Sequence, residues 1–478
     1  MNQSVLFPLC LALGVAATSV NAAPDNEKLS RAEDRAAVAV TIYNESLALV
    51  REEREVTFNQ GRNSIAMREV SARIKPETAS LRSLSGGRFT LLEQNFDFDL
   101  LTPQSLLNKY VGQNVTVIHV HPETGEEKRE QATVLANNQG VVLRYADRIE
   151  TDVPYGARIV YADVPKNLRD RPTLVIDLES DRAGKQRTEL SYLSEGFSWQ
   201  ADYVATLADN EETLDLAGWV TLTNRSGASY ENAKLQLVAG DVNRAQQNSM
   251  RQKEVLYDVA AAPMAAEPMA REELFEYHLY TLTRPTTLRD NQTKQVALLS
   301  ANQVNVRKEY RLEGAARWYQ YDQNARDLGD KRKVEVFIEF DNKGGDLGQP
   351  LPKGIVRVYK KDNEGRPLFI GEDRIDHTAK NEIVRLKLGK AFDITGNWKR
   401  VDYTSLGKRS FEQEIEIELK NAKKIPTTVK VVEPVPGDWK MVKENFPHQK
   451  AEASTAVWNI EVPAEGSTTL KYRVRSTW

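Results

Sequence analysis

The stretch "RSFEQEIEIELK", residues 409–420, places Phe411, Ile415, Ile417 and Leu419 on one face of a period-two repeat and Glu412, Glu414, Glu416 and Glu418 on the other. Such a pattern belongs to a β-strand with one covered and one wetted face. "KVEVFIEF", "GIVRVYKK", "EIVRLKLG", "WVTLTN" and "TTLKYRVR" repeat it, separated by turn candidates such as "NEGR", "NKGGDLG" and "PAEGS". The fold class expected is all-β: several immunoglobulin-like sandwiches, a small SH3-like barrel insert and very few short helices. One helix is legible in "TPQSLLNKYVG", where Thr102 suits the N-cap, Pro103 the first helical position, and Leu106, Leu107 and Tyr110 share a side. Alternation also fits a membrane barrel, but the long charged connections and Pro-rich loops do not form an even meander of strands, so a water-exposed sandwich is preferred.

The chain opens with "SVLFPLCLALGVAATSV" and the small-residue pattern Val20-Asn21-Ala22, which reads as a secretory signal peptide over residues 1–22. The expected location is periplasmic or secreted. The single cysteine, Cys10, lies inside that segment, so a cleaved product would have no disulfide, cysteine nucleophile, iron–sulfur cluster or thiolate zinc site. Net charge is −3, and 28% of residues are charged, without the concentrated basic character that nucleic acid demands. No later run approaches the roughly 18 apolar residues of a membrane helix.

From composition and turn signals the expected organisation is a charged, unstructured leader over 23–36, an N-terminal β unit over 37–104, and a short helix with the small barrel over 105–160. An immunoglobulin-like sandwich follows over 161–244 and a C-terminal β-sandwich region over 277–478. The Ala-, Pro- and Met-rich segment 245–276 between them reads as a flexible linker.

Candidate chemistry is sparse. In "VTVIHVHPETGEEK", His119 and His121 alternate and could face one metal with Glu123, yet Pro122 and Thr124-Gly125 have the chemistry of a hairpin turn, which is the preferred reading. Asn95, Asp97 and Asp99 could offer oxygens to calcium but lack the glycine and distal glutamate of a calcium loop. Trp318, Tyr319 and Tyr321 could form an aromatic platform, although strand aromatics are more often core. Met264 and Met269 could grip a soft metal but read as incidental. The serines of "RSLSGGR" and "EGFSWQA" lack a nucleophile elbow, and no phosphate loop, dinucleotide or His-Glu-x-x-His motif occurs. The expectation is therefore no cofactor, no resident metal and no catalytic residue.

"RTELSYLSEGFSWQADYVATL", "GWVTLTNRSGASYENAKLQLVAGDVNR", "FEYHLYTLTRPTTLRDNQTKQVALL", "LPKGIVRVYKKDNEGRPLFIGEDRIDHT" and "VVEPVPGDWKM" resemble the bacterial family known as domain of unknown function 4139, from about residue 37 to the end. That resemblance implies a β-rich, exported or envelope-associated protein and transfers no catalytic residue. Within it, the polar row Asn291 to Gln295 is more polar than a hidden strand requires. Tyr277, Tyr280, Arg284, Asn291 and Gln295 are accordingly the candidate interaction surface. The functional expectation is an envelope protein that binds or scaffolds, its partner an envelope protein or polysaccharide. The alternatives are a hydrolase of envelope glycan or peptide, using a carboxylate pair or His119 and His121, and a small-ligand carrier.

Overall fold

The opening stretch does form the expected strand, Ser410–Asn421, and its two faces explain its position in the fold. Phe411 is buried, and Ile415, Ile417 and Leu419 are buried in a core shared with Val429, Val431, Trp458, Leu470 and Val474. On the other face the glutamates sit opposite cations of the antiparallel strand Gly466–Thr477: Glu412 opposite Arg475, Glu414 opposite Arg473 and Glu416 opposite Lys471. Arg473 donates to Glu414 at 2.9 Å and Lys471 to Glu416 at 2.6 Å, so the polar face carries its own cross-strand pairing.

In this computed structural model the described residues are 27–477, apart from 44–45, 98, 139, 154, 166–167, 241–242, 244–268, 275–276, 315–329 and 408. The expected signal segment 1–22, Met264, Trp318, Tyr319 and Tyr321 lie outside them. The architecture is all-β, built from several sheets with short helical pieces. No described helix is long and apolar enough to cross a membrane.

The chain divides into two units, one holding the described residues up to Ala37 with Arg51–Leu193, the other Val38–Val50 with Ser194 onward. In the first, a four-stranded sheet runs in the order Glu27–Ser30, Gly61–Arg68, Thr173–Ser180 and Phe89–Asp97. The leader expected to be unstructured therefore begins a strand at Glu27, parallel to Ser64–Met67. A leader charge anchors it: Arg169 forks onto both carboxylate oxygens of Glu27 at 2.8 Å.

The helix Pro103–Lys109 is capped by the Thr102 hydroxyl, which accepts the Ser105 N–H at 3.0 Å. It precedes a five-stranded antiparallel sheet ordered Ile149–Thr151, Val141–Arg144, Glu127–Asn137, Asn114–Val120 and Ala157–Val160. Val115, Val117, Val134, Leu143 and Tyr110 form its core. The small barrel expected here is an open sheet among the described residues, because the outer strands each pair on one side only and one of them stops after three residues.

The second unit is dominated by a sheet in the order Pro367–Ile375, Gly354–Lys361, Phe197–Leu207, Thr213–Asn224, Gln292–Glu313, Asp330–Asp341, Ile383–Ser405, Ser410–Asn421, Gly466–Thr477 and Asp438–Glu444. Separately, Tyr230–Ala239 pairs with Tyr277–Thr281 and, in parallel, with Ala39–Ile42. Three expected boundaries are corrected. The block 161–244 is not one sandwich, since Thr173–Ser180 is central to the first unit's sheet while 197–224 belongs to the second's. The block 37–104 loses Val38–Val50 to the second unit. The expected linker 245–276 contains the strand Ala270–Leu274, paired with Tyr277–Thr281. Alternation identifies a strand's faces but is silent about which strand lies beside it.

Candidate functional site

Residues proposed from the sequence separate into distinct roles. "VTVIHVHPETGEEK" is a hairpin: the strand ends at Val120, His121 accepts the N–H groups of Glu123 and Thr124 on Nδ1 at 3.4 and 3.3 Å, and the Gly125 N–H returns to the His121 carbonyl. His119 lies 3.5 Å from Glu130, which is itself held by Arg148. Among the described residues no three His, Cys, Asp or Glu side chains converge on one point. Asp97 accepts from Arg169, Asn95 donates to Glu93, and Asp99 pairs with Lys109, so that row is committed to local contacts. Met269 is buried.

The five-residue interaction surface is likewise broken up. Tyr280 is 2% exposed and its hydroxyl donates to the Pro350 carbonyl at 2.8 Å, matching Tyr203, whose hydroxyl donates to the Pro352 carbonyl at 2.8 Å. These two phenols pin the "QPLP" loop, and burial pushes the Tyr203 phenol well above its ordinary value. Tyr277 is half-buried against Gly240, where an added Cβ would lie 2.5 Å from its ring at a φ of +132°. Arg284 and Asn291 remain exposed, and Asn291 occupies a turn at φ 53° with its amide on Asp290.

Gln295 leads to an arrangement that single-strand reading does not supply. Its amide donates to the Thr221 hydroxyl at 3.2 Å, and that hydroxyl donates to Asp202 Oδ2 at 2.6 Å. Arg357 Nη1 donates to Asp202 Oδ1 at 3.2 Å, and its Nε lies 3.3 Å from Glu372. One polar rung thus crosses five adjacent strands on one face of the sheet, with Gln200 reaching the same carboxylate. Asp202 is only 7% exposed, so its carboxylate is fixed by its neighbours and not by water.

Further along the same strands, the pairing of Leu214 with Val304 jumps to Leu216 with Ala301, leaving Asn302 and Gln303 bulged beside Asp215. The Gln303 N–H donates to Asp215 Oδ1 at 2.9 Å, and Gln303 has a φ of 51°. The bulge forms one wall of an open cleft of about 390 Å³, lined by Thr206, Asp209, Asp215, Asn302, Gln303 and Lys361. Beside it, Glu211 is shared by Lys308 at 2.6 Å and Lys360 at 2.5 Å. Burial pushes that carboxyl upward, but the two ammonium groups outweigh burial and hold it at about 2.

A family model described as a domain of unknown function, DUF4139, matches residues 188–478, more than half of the chain. The chain belongs to the DUF4139 family. The rung and the cleft both fall inside this DUF4139 region, whereas His119, His121 and residues 37–187 lie outside the match. No curated protein matches the chain. Of the DUF4139 features described above, Asp202, Arg357, Asp215 and Gln303 were not legible as a group, because the sequence spreads them over more than 150 positions and only the sheet brings them to one face.

Proposed function

We propose that this DUF4139 protein is exported to the cell envelope and acts by binding, taking a hydroxyl- and amide-rich ligand of the envelope-glycan class on the outward face of its main sheet. The observation that carries this reading is the cleft of about 390 Å³ at the Asn302–Gln303 bulge. Its walls supply hydroxyl, amide, carboxylate and ammonium groups, the donors and acceptors that pair with sugar hydroxyls. Tyr359 and Phe369, packed edge to face with centroids 5.8 Å apart, lie on the adjoining strands, Tyr359 opposite Thr206. Such rings add apolar contact to a polar groove. The polar rung through Asp202 stiffens the same face, which lowers the ordering cost of binding. Export rests on the N-terminal segment.

Hydrogen exchange of the cleaved chain with and without glycan fragments released from envelopes of its own cells tests the reading. The expected result is slower exchange in 206–215, 300–303 and 357–361. Identical exchange in both samples overturns it, and shortening of the glycan during incubation replaces binding with hydrolysis.

A further inference from the structure

Arg284, Arg289 and Lys294 recur every five residues in "RPTTLRDNQTK", with Asp290 as the only acid among them. The turn before the strand Gln292–Glu313 brings Arg289 and Lys294 to one small cavity, with Arg284 at the start of the same segment. Lys294 Nζ donates to the Thr286 hydroxyl and to the Thr287 carbonyl, the latter at 3.2 Å, which among the described residues leaves one ammonium N–H uncommitted. Partial burial and then the positive charges of Arg284 and Arg289 lower the pKa of this ammonium, so the three cations act on one another.

The acids and amides nearby are otherwise engaged. Asp290 accepts the Gly227 N–H at 2.9 Å and the Asn291 amide at 3.0 Å. Asn224 is occupied by the Ala228 and Leu288 carbonyls and by Ser226. Neither the Arg284 nor the Arg289 guanidinium forms an ion pair with a described carboxylate, and both residues are exposed. Arg289, Gln292 and Lys294 rim a small cavity of about 10 Å³ floored by Ile42, Phe197, Leu222 and Leu288. That volume holds a single water. A ligand therefore rests across the rim formed by Arg289, Gln292 and Lys294, with the Arg284 charge acting on the same ammonium.

We propose that Arg284, Arg289 and Lys294 form a site for a phosphoryl group, separate from the cleft at Asn302–Gln303. A tetrahedral oxyanion suits this set. Two guanidinium forks match pairs of its oxygens, and the ammonium supplies a point charge beside a hydroxyl-rich turn. It would also relieve the mutual repulsion that no described carboxylate compensates. The phosphoryl group could be free phosphate or the headgroup of an envelope lipid, and the chemistry at the rim is the same for both.

The test is calorimetric titration of the cleaved full chain with inorganic phosphate at low ionic strength, using chloride as the reference. Co-sedimentation with vesicles of phosphatidylglycerol and of phosphatidylcholine accompanies it. The double variant Arg284→Ala/Arg289→Ala changes two exposed residues, and its thermal melting is compared with that of the wild type. Lys440→Ala serves as a distant charge control. Saturable phosphate binding that weakens about tenfold or more in the double variant and is unchanged in Lys440→Ala is the expected result. Phosphate-competed binding to phosphatidylglycerol vesicles identifies a headgroup source, and phosphate binding without vesicle binding identifies the free anion. No saturation by phosphate together with no vesicle binding, or equal binding by wild type and double variant, overturns the proposal.

Discussion

The charged cluster around Glu52 and the one around Lys294 are built in opposite ways. Glu52 and Arg54 are fully buried, and every charge there has a partner. Arg54 and Arg35 both donate to the Glu52 carboxylate at 2.9 Å, Tyr192 adds its hydroxyl at 2.9 Å, and the rest of the Arg54 fork ends on the carbonyls of Ser30 and Arg68. Burial pushes the Glu52 carboxyl upward, but the two guanidinium groups and the phenol outweigh it and keep it below the ordinary range. Around Lys294 three like charges share a turn whose one acid, Asp290, is taken by the Gly227 N–H and the Asn291 amide. A charge buried with its complement holds strands in register, whereas a charge exposed without its complement is free to meet a ligand.

The largest expected effect comes from breaking the first cluster. Glu52→Gln leaves Arg54 and Arg35 buried without a counter-charge, which costs about 3–5 kcal/mol. Urea unfolding should show the loss in the midpoint, and a change under about 1 kcal/mol would remove the contrast drawn above.

Glu211 is an intermediate case, one partly exposed carboxylate between two lysines. Its folded pKa of about 2 lies below its ordinary 4.5. The stabilisation it provides is therefore complete above about pH 4.5 and is lost as pH falls toward 2. Discounted for solvent screening, that loss is on the order of 1–2 kcal/mol. Comparing acid titrations of thermal stability for wild type and Glu211→Gln isolates it, since the variant lacks this slope.

The smallest effect belongs to the second cluster. Removing repulsion between exposed cations should leave stability within about 0.5 kcal/mol of wild type in Arg284→Ala/Arg289→Ala, or raise it slightly. Thermal melting at low salt checks this, and a loss above 1 kcal/mol would mean that the arginines are structural after all.

Legibility followed the range of the interaction. Residues 409–420 could be read correctly because alternation is a local property, and the Thr102 cap could be read because its bond closes within three residues. The histidine hairpin was legible for the same reason, its turn chemistry lying between Pro122 and Gly125. Tyr280 was misplaced as a surface residue because its partner, Pro350, lies 70 positions away. Gln295 joins the polar rung on the main sheet through Thr221 and Asp202, neither near it in the chain.

By itself the sequence determined the all-β class, the two faces of most strands, the capped helix and the resemblance to DUF4139. Each depends on residues within a few positions of one another or on segments compared whole. Only the tertiary structure decided that Glu27–Ser30 is a strand, that residues 161–244 are shared between two units, and that Arg289 and Lys294 stand together at one rim. Strand order and register are set by which apolar faces and cross-strand charges find each other over long separations, and a period of two is the same whichever neighbour a strand acquires.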